Sequence, residues 1–374
     1  MRFRQSVSPT PVPRPRERRN LRLLAFLAAL AMPAGAHAAD APDLAAYKTA
    51  TFLPYLDAPL AGAPMTRPPS LGLSFGGRTV RAVMDTGSTG VVVAARAIPN
   101  LASLPSLGPG QLTYTSSGRI MSGTWVVTPV QISGTQGAQV TTRPIAVLAV
   151  TRVECLKHAR KCQPRQNPGG IAMLGVGFAR QGDHQAQSAP DRNPFLTVED
   201  MGDAAKPGAV RRGYVVTKRG VQVGLTGEAA AGFTFTKLAR STAFADWAAA
   251  PACLSLNGRM PQACGTALVD TGVSVMYVTL PPAQQQGQVT RDARGKPGLP
   301  AGATLSVKLG TDGAGAAYSF TVGDVENPLA PLGVVLVQRG ERTFVNTSLR
   351  FLNGFDYLYD ADGGYVGYRP RQAR

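Results

Sequence analysis

Two stretches decide the fold: Ala82-Val83-Met84-Asp85-Thr86-Gly87-Ser88-Thr89 and Ala267-Leu268-Val269-Asp270-Thr271-Gly272-Val273-Ser274. The first is preceded by Leu73-Ser74-Phe75-Gly76-Gly77-Arg78, the second by Leu254-Ser255-Leu256-Asn257-Gly258-Arg259. Both copies have the same order: an alternating strand, a tight turn ending in Arg, a second strand, then Asp-Thr-Gly. Gly76-Gly77 and Asn257-Gly258 are strong hairpin turns, because such pairs adopt positive φ at little cost. Strand-forming runs follow each motif, Val91-Val92-Val93 and Val275-Met276-Tyr277-Val278. The second copy has a longer link, 11 positions from Arg259 to Asp270 (270−259) against 7 from Arg78 to Asp85 (85−78), and Cys264 lies in the extra length. The two Asp stand 185 positions apart (270−85), about one lobe of a 374-residue chain.

A single Asp-Thr-Gly carries little information. Two copies at strand ends, each behind a matched hairpin, mark an internal repeat. Glycine lets each Asp-bearing turn come close to its counterpart. Two carboxylates brought together cannot both ionise, so one holds a proton. The pair then contains an acid and a base at one pH. It can polarise a carbonyl while deprotonating a water, which is peptide hydrolysis without a covalent intermediate.

Composition agrees with a turn-rich β protein. Gly 42 and Pro 30 favour short strands, and 44% hydrophobic residues suffice for a core. Helical stretches are few; Leu196–Ala204 and Leu238–Ala249 are read as short helices. Residues 163–169, 179–194 and 282–301 are read as surface loops.

The first 38 residues read as an export signal. Seven Arg and one Glu precede or flank a short apolar run, Leu23 to Met32, and Ala36-His37-Ala38 fits a cleavage site. Arg18-Arg19 with Leu21 has a loose twin-arginine character. Removing this segment lowers the net charge from +17 to +11 (39−7 = 32 basic, 22−1 = 21 acidic). No block of like charge remains, so the basicity reads as a diffuse surface. A periplasmic or extracellular compartment follows as the expectation, and there Cys155 with Cys162 and Cys253 with Cys264 are natural local disulfides. Four Cys allow three connectivities, and spacing does not choose among them. Three His and no C-x-x-C spacing leave a metal reading without a ligand set.

The motifs resemble those of the pepsin-like aspartic proteases over about residues 69–370. Asp85-Thr86-Gly87-Ser88-Thr89 and Asp270-Thr271-Gly272-Val273-Ser274 match the two signature loops. Gly170-Ile171-Ala172-Met173-Leu174-Gly175-Val176-Gly177 is similar to the apolar-apolar-Gly strand behind the first loop. Phe355–Asp360 and Gly363–Tyr368 are similar to the C-terminal hairpin. The resemblance implies an all-β bilobal fold with a cleft, and a catalytic pair, Asp85 and Asp270, sharing a proton and a water. Thr86, Gly87, Ser88, Thr271, Gly272 and Ser274 would support the dyad, and Cys253 and Cys264 sit where the family often has a short disulfide. A flap hairpin is expected over 112–132, turning at Ser116-Ser117-Gly118 and returning along Met121 to Ile132, with Tyr114 as the flap tyrosine.

The expected layout is a signal (1–38), a lead-in (39–68), an N-terminal lobe (69–208) and a C-terminal lobe (209–374). The lead-in is short for a pro-segment, though Ala39 to Arg67 has the length to occupy the cleft. The expected partner is an extended polypeptide substrate, bound by a monomer, with no cofactor, no nucleic acid and no membrane insertion after signal removal. The competing reading is a pepsin-fold binding protein without catalysis.

Three positions depart from the family pattern. Val273 replaces a hydroxyl residue, which predicts that Asp270 lacks a donor and that the dyad keeps its proton to higher pH. Val92 stands at the spacing of the Trp that partners the flap tyrosine, with Trp125 as the available substitute. Asn346-Thr347-Ser348 replaces the second apolar-apolar-Gly, so Ser348 stands where Gly is expected. The same triplet is a glycosylation sequon, read as coincidental.

Overall fold

The computed structural model describes residues 41–372 except 158, 160–161, 184, 186, 203–205, 207, 293–294, 311–314 and 338–341. The export signal lies outside the described residues. What is described is almost wholly strand and turn, in three sheets of ten, nine and six strands.

The ten-stranded sheet carries the first motif. Strand Ser70–Ser74 pairs antiparallel with Val80–Asp85 across the Gly76 turn. Strand Ala172–Val176 then inserts between Val80–Asp85, which it meets parallel, and Thr89–Ala94, which it meets antiparallel. The Asp85-Thr86-Gly87 loop therefore joins two strands that a third strand separates, so it arches over the sheet end. The nine-stranded sheet repeats this plan. Hairpin Ala250–Leu256 and Ala263–Leu268 leads to the second loop. Strand Thr343–Asn346 inserts between Ala263–Leu268, parallel, and Met276–Thr279, antiparallel.

A third sheet joins distant parts of the chain, in the order Thr51–Pro54, Gly220–Val223, Gly213–Val216, Phe355–Asp360, Tyr365–Pro370 and Thr234–Lys237. Part of the lead-in is thus a sheet edge rather than a cleft occupant, and the Met65 N–H is tied to Asn353 Oδ1 at 2.7 Å. The C-terminal hairpin provides the two strands between Gly213–Val216 and Thr234–Lys237. Its Asp360 is fully buried and takes both ends of the Arg211 guanidinium at 3.0 Å. One apolar core runs beneath all three sheets, from Leu71, Met84 and Ile132 through Tyr214 and Val216 to Leu254, Leu305 and Phe351.

Two expectations need correction here. Among the described residues the helices read over 196–204 and 238–249 are absent; 203–204 lie outside them. Val198 bridges to Thr142, and Arg240 bridges to Trp247. Side chains capture the backbone in both stretches: Thr197 Oγ1 donates to Asn193 O, Asp246 accepts the Trp247 N–H, and Ser241 Oγ accepts from Ala243 and Phe244. The α-helix of the described residues is the single turn Pro282–Gln285. The flap hairpin also differs in extent. It runs from Ser106–Tyr114 to Arg119–Thr128, and Gln131–Ser133 instead pairs with Ser70–Ser74.

Candidate active site

The two Asp-Thr-Gly loops meet at the carboxylates. Asp85 and Asp270 are each only 6% exposed. A Cβ placed on Gly87 would lie inside 3.0 Å of the Asp270 carboxylate, and one on Gly272 would do the same at Asp85. Each carboxylate therefore sits against the glycine of the opposite loop, at a spacing that no side chain but hydrogen permits.

The threonines lock the loops together. The Thr86 N–H donates to Thr271 Oγ1 at 3.1 Å, and the Thr271 N–H donates to Thr86 Oγ1 at 3.0 Å. Each hydroxyl donates onward to the other lobe, Thr86 Oγ1 to Val269 O at 2.6 Å and Thr271 Oγ1 to Met84 O at 2.7 Å. Both N–H groups and both hydroxyls of this crossing have partners, as burial demands.

Each carboxylate accepts a backbone N–H on Oδ1, termed the inner oxygen, and a side-chain donor on Oδ2, termed the outer oxygen. The Gly87 N–H donates to Asp85 Oδ1 at 2.7 Å and Ser88 Oγ to Asp85 Oδ2 at 2.6 Å. The Gly272 N–H donates to Asp270 Oδ1 at 2.8 Å. The outer donor to Asp270 comes from another strand: Asn346 Nδ2 reaches Oδ2 at 2.5 Å. The expectation that Val273 leaves this oxygen without a donor is thus corrected. Burial and the charge of Asp85 still hold the Asp270 carboxyl well above the usual carboxylate range, with Asn346, Gly272 and Arg180 opposing.

Ser348 fits without displacing the second loop. Its backbone takes φ 61° and ψ 174°, a region that glycine favours. Its N–H donates to Asn346 Oδ1 at 3.0 Å, and its Oγ accepts from the Arg350 N–H at 3.3 Å. Asn346 is 7% exposed and its amide is engaged on both sides, so the sequon has no free acceptor. Ser274 offers its backbone carbonyl to the Leu332 N–H.

Tyr114 ends the outgoing strand of the hairpin and is followed by a turn in which the Gly118 N–H returns to its carbonyl at 2.8 Å. Its phenol is raised by burial and by the Asp85 charge, with a hydrogen bond to Ser88 opposing. Tyr114 is thus near enough to Asp85 and Ser88 for its phenol to feel both. Trp125 shares an apolar cluster with Val92, Leu112 and Met121, and Tyr114 packs on that cluster. The ring of Trp125 carries the Arg192 guanidinium at 4.9 Å.

The hairpin is braced along its full length. Its returning strand pairs with Ile145–Cys155 from Thr128↔Ile145 to Arg119↔Cys155. The disulfide Cys155–Cys162 closes the end of that support, and the Leu156 N–H donates to Gly118 O at 2.8 Å. Cys253–Cys264 bridges the two strands leading to the second loop.

Sequence reading missed three groups here. Asn346 is one. The others lie in 179–194, read only as a surface loop. Arg180 Nε donates to Gly87 O at 2.9 Å and Gln185 Nε2 does so at 3.3 Å, while Arg180 also pairs with Asp183. The available sequence signal for Arg180 was its place three residues after Gly177, at the end of the glycine strand.

A solved aspartic proteinase from Irpex lacteus matches this structure with a TM-score of 0.54, over 87% of this chain and 98% of that one, at 14% sequence identity. The chain has the pepsin-like fold. No family model and no curated protein matches it by sequence. At 14% identity the likeness concerns the fold alone, and the chemistry rests on the geometry above.

Proposed function

We propose that this chain is an exported aspartic endopeptidase. Asp85 and Asp270 would share one proton and activate a water against the scissile carbonyl of an extended polypeptide. The observation that carries this reading is the reciprocal seating of each carboxylate against the other loop's glycine, with donors to both oxygens of each.

The chemistry follows from that arrangement. With one proton between two buried carboxylates, the ionised member takes a proton from water while the protonated member donates to the carbonyl oxygen. Collapse of the tetrahedral adduct passes the proton taken from water on to the leaving amine, while an adduct hydroxyl gives its proton back to the other carboxylate and restores the shared proton. Side chains hold the Oδ2 atoms, Ser88 on Asp85 and Asn346 on Asp270, so the shared proton would lie between the Oδ1 atoms. Tyr114, at the hairpin end, would cover the bound peptide and exclude water. Export is supported by two disulfides and by the basic, apolar and small-residue order of residues 1–38. Among the described residues no helix is long and apolar enough to cross a membrane.

The test is cleavage of a mixed peptide library by residues 39–374 across pH 3–7, with and without pepstatin. Pepstatin-sensitive cleavage that Asp85→Asn and Asp270→Asn each abolish supports the proposal. Cleavage surviving both substitutions refutes the dyad, and no cleavage at any pH favours a binding protein.

A further inference from the structure

Asn346 occupies a place that the internal repeat makes explicit. It pairs with Leu268 as Met173 pairs with Val83, and 268−83 = 185, the separation of the two Asp. The first lobe thus puts an apolar residue where the second puts an amide. The reverse holds in the loops, where Ser88 has a hydroxyl and its counterpart Val273 has none. The donor to the outer oxygen has moved from the loop to the neighbouring strand.

We propose that Asn346 is a positioning residue of the dyad, whose amide replaces the hydroxyl absent at Val273 and keeps the outer oxygen of Asp270 unprotonated. This inference rests on the peptidase reading only for its kinetic consequence.

The orientation of the amide is decided by its neighbours. The Ser348 N–H can donate only to an oxygen, so Oδ1 lies on that side and Nδ2 faces Asp270. An amide nitrogen donates and does not accept. Asp270 Oδ2 is therefore always the acceptor. Ser88 differs, because a hydroxyl can donate to Asp85 or accept from it. The two acids are chemically unequal: the shared proton is confined to the inner edge and to Asp85. This also accounts for the triplet as a unit. Asn346 supplies the amide, Thr347 keeps the sheet through its N–H to Leu268 O, and Ser348 turns its own N–H back onto Asn346.

Among the described residues the charged and titratable groups around Asp270 are few. Asp85 faces it from the other loop, Arg180 from the segment after the inserted strand, with Asp183 paired to that Arg. Tyr277, cross-strand from Asn346, feels its charge, and Tyr114 stands at Asp85. Asn346 is neutral, so removing it leaves these charges in place and takes away one donor to the anion. The proton affinity of Asp270 then rises.

The test compares wild type, Asn346→Met (the residue of the first lobe) and Asn346→Met with Val273→Ser. Asp270 is followed by carbon-13 carboxyl titration, assigned by its loss in Asp270→Asn, and kcat/KM is measured against pH. In Asn346→Met both the Asp270 titration and the rate profile should move up by about one pH unit. The double variant should return both toward wild type. An unmoved titration in folded Asn346→Met, or no return in the double variant, overturns the proposal. Asn346→Ala replaces the Met variant if that chain does not fold. Should wild type cleave nothing, the peptidase reading fails, while the carboxyl titration still decides the role of Asn346.

Discussion

Thr86 and Thr271 each accept the other's backbone N–H on a side-chain hydroxyl, at 3.0 and 3.1 Å, while donating across the lobe boundary. Each hydroxyl thus satisfies a buried N–H and a buried carbonyl at once. Thr86→Val keeps the shape and removes both functions. It should lower stability by about 2–3 kcal/mol, the cost of leaving buried backbone groups unpaired. Thr86→Ser should keep the hydroxyl and stay within about 1 kcal/mol of wild type. Urea unfolding measures both. Cleavage by Thr86→Val should fall further than the folded fraction explains, because the loops then lose their mutual register.

What the sequence disclosed was whatever it encodes locally. The hairpin turns at Gly76 and Asn257-Gly258, the two motifs and the turn after Tyr114 each lie within a few residues of the features they predict. The third sheet was not legible, since Thr51–Pro54 finds its partner at Gly220–Val223. The same holds for the site. Asn346 reaches Asp270 across 76 positions and Arg180 reaches Gly87 across 93. The missing glycine at 348 lies two residues from the functional group, yet only the register of the inserted strand shows which side chain meets the dyad. The Ala-rich run 238–249 failed for another reason. Its helix propensity is worth tenths of a kcal/mol per residue, less than the hydrogen bonds that Asp246 and Trp247 make outside a helix.

Asp270 makes the fold's stability depend on pH. Its carboxyl is raised in the folded state, and an unfolded Asp titrates near about 3.9. Between that value and the raised one the folded chain binds more protons than the unfolded chain. Stability from this group is therefore full below about pH 3.9 and falls as pH rises through the folded value. Asp270→Asn should flatten that decline. Urea midpoints from pH 4 to pH 8 for both chains measure it, and parallel curves would contradict the assignment.

The hairpin that carries Tyr114 depends on Cys155–Cys162. The bridge closes a short loop whose Leu156 N–H holds the turn at Gly118 O. Replacing both Cys by Ser frees that loop at a local cost of about 2–3 kcal/mol. The global core lies elsewhere, so the melting transition should shift little. Amide exchange at residues 115–119 should speed up at least tenfold, and KM for peptide should rise several-fold with kcat nearly constant. A large loss of global stability would show that the bridge serves the core and not the hairpin.

Ser348 offers the opposite kind of test, a substitution that should stabilise. Its φ of 61° with ψ 174° lies where a side chain costs about 1–3 kcal/mol. Against that, its Oγ accepts one N–H, from Arg350 at 3.3 Å, a long bond worth about 0.5–1 kcal/mol. The functional contact is made by the backbone N–H, which glycine retains. Ser348→Gly should therefore raise stability by about 1 kcal/mol and leave the pH profile unchanged. Ser348→Ala keeps the strain and loses the acceptor for the Arg350 N–H, so it should be less stable than wild type. If glycine instead destabilises, the backbone here is held by the serine side chain, and the strain is smaller than its angles imply.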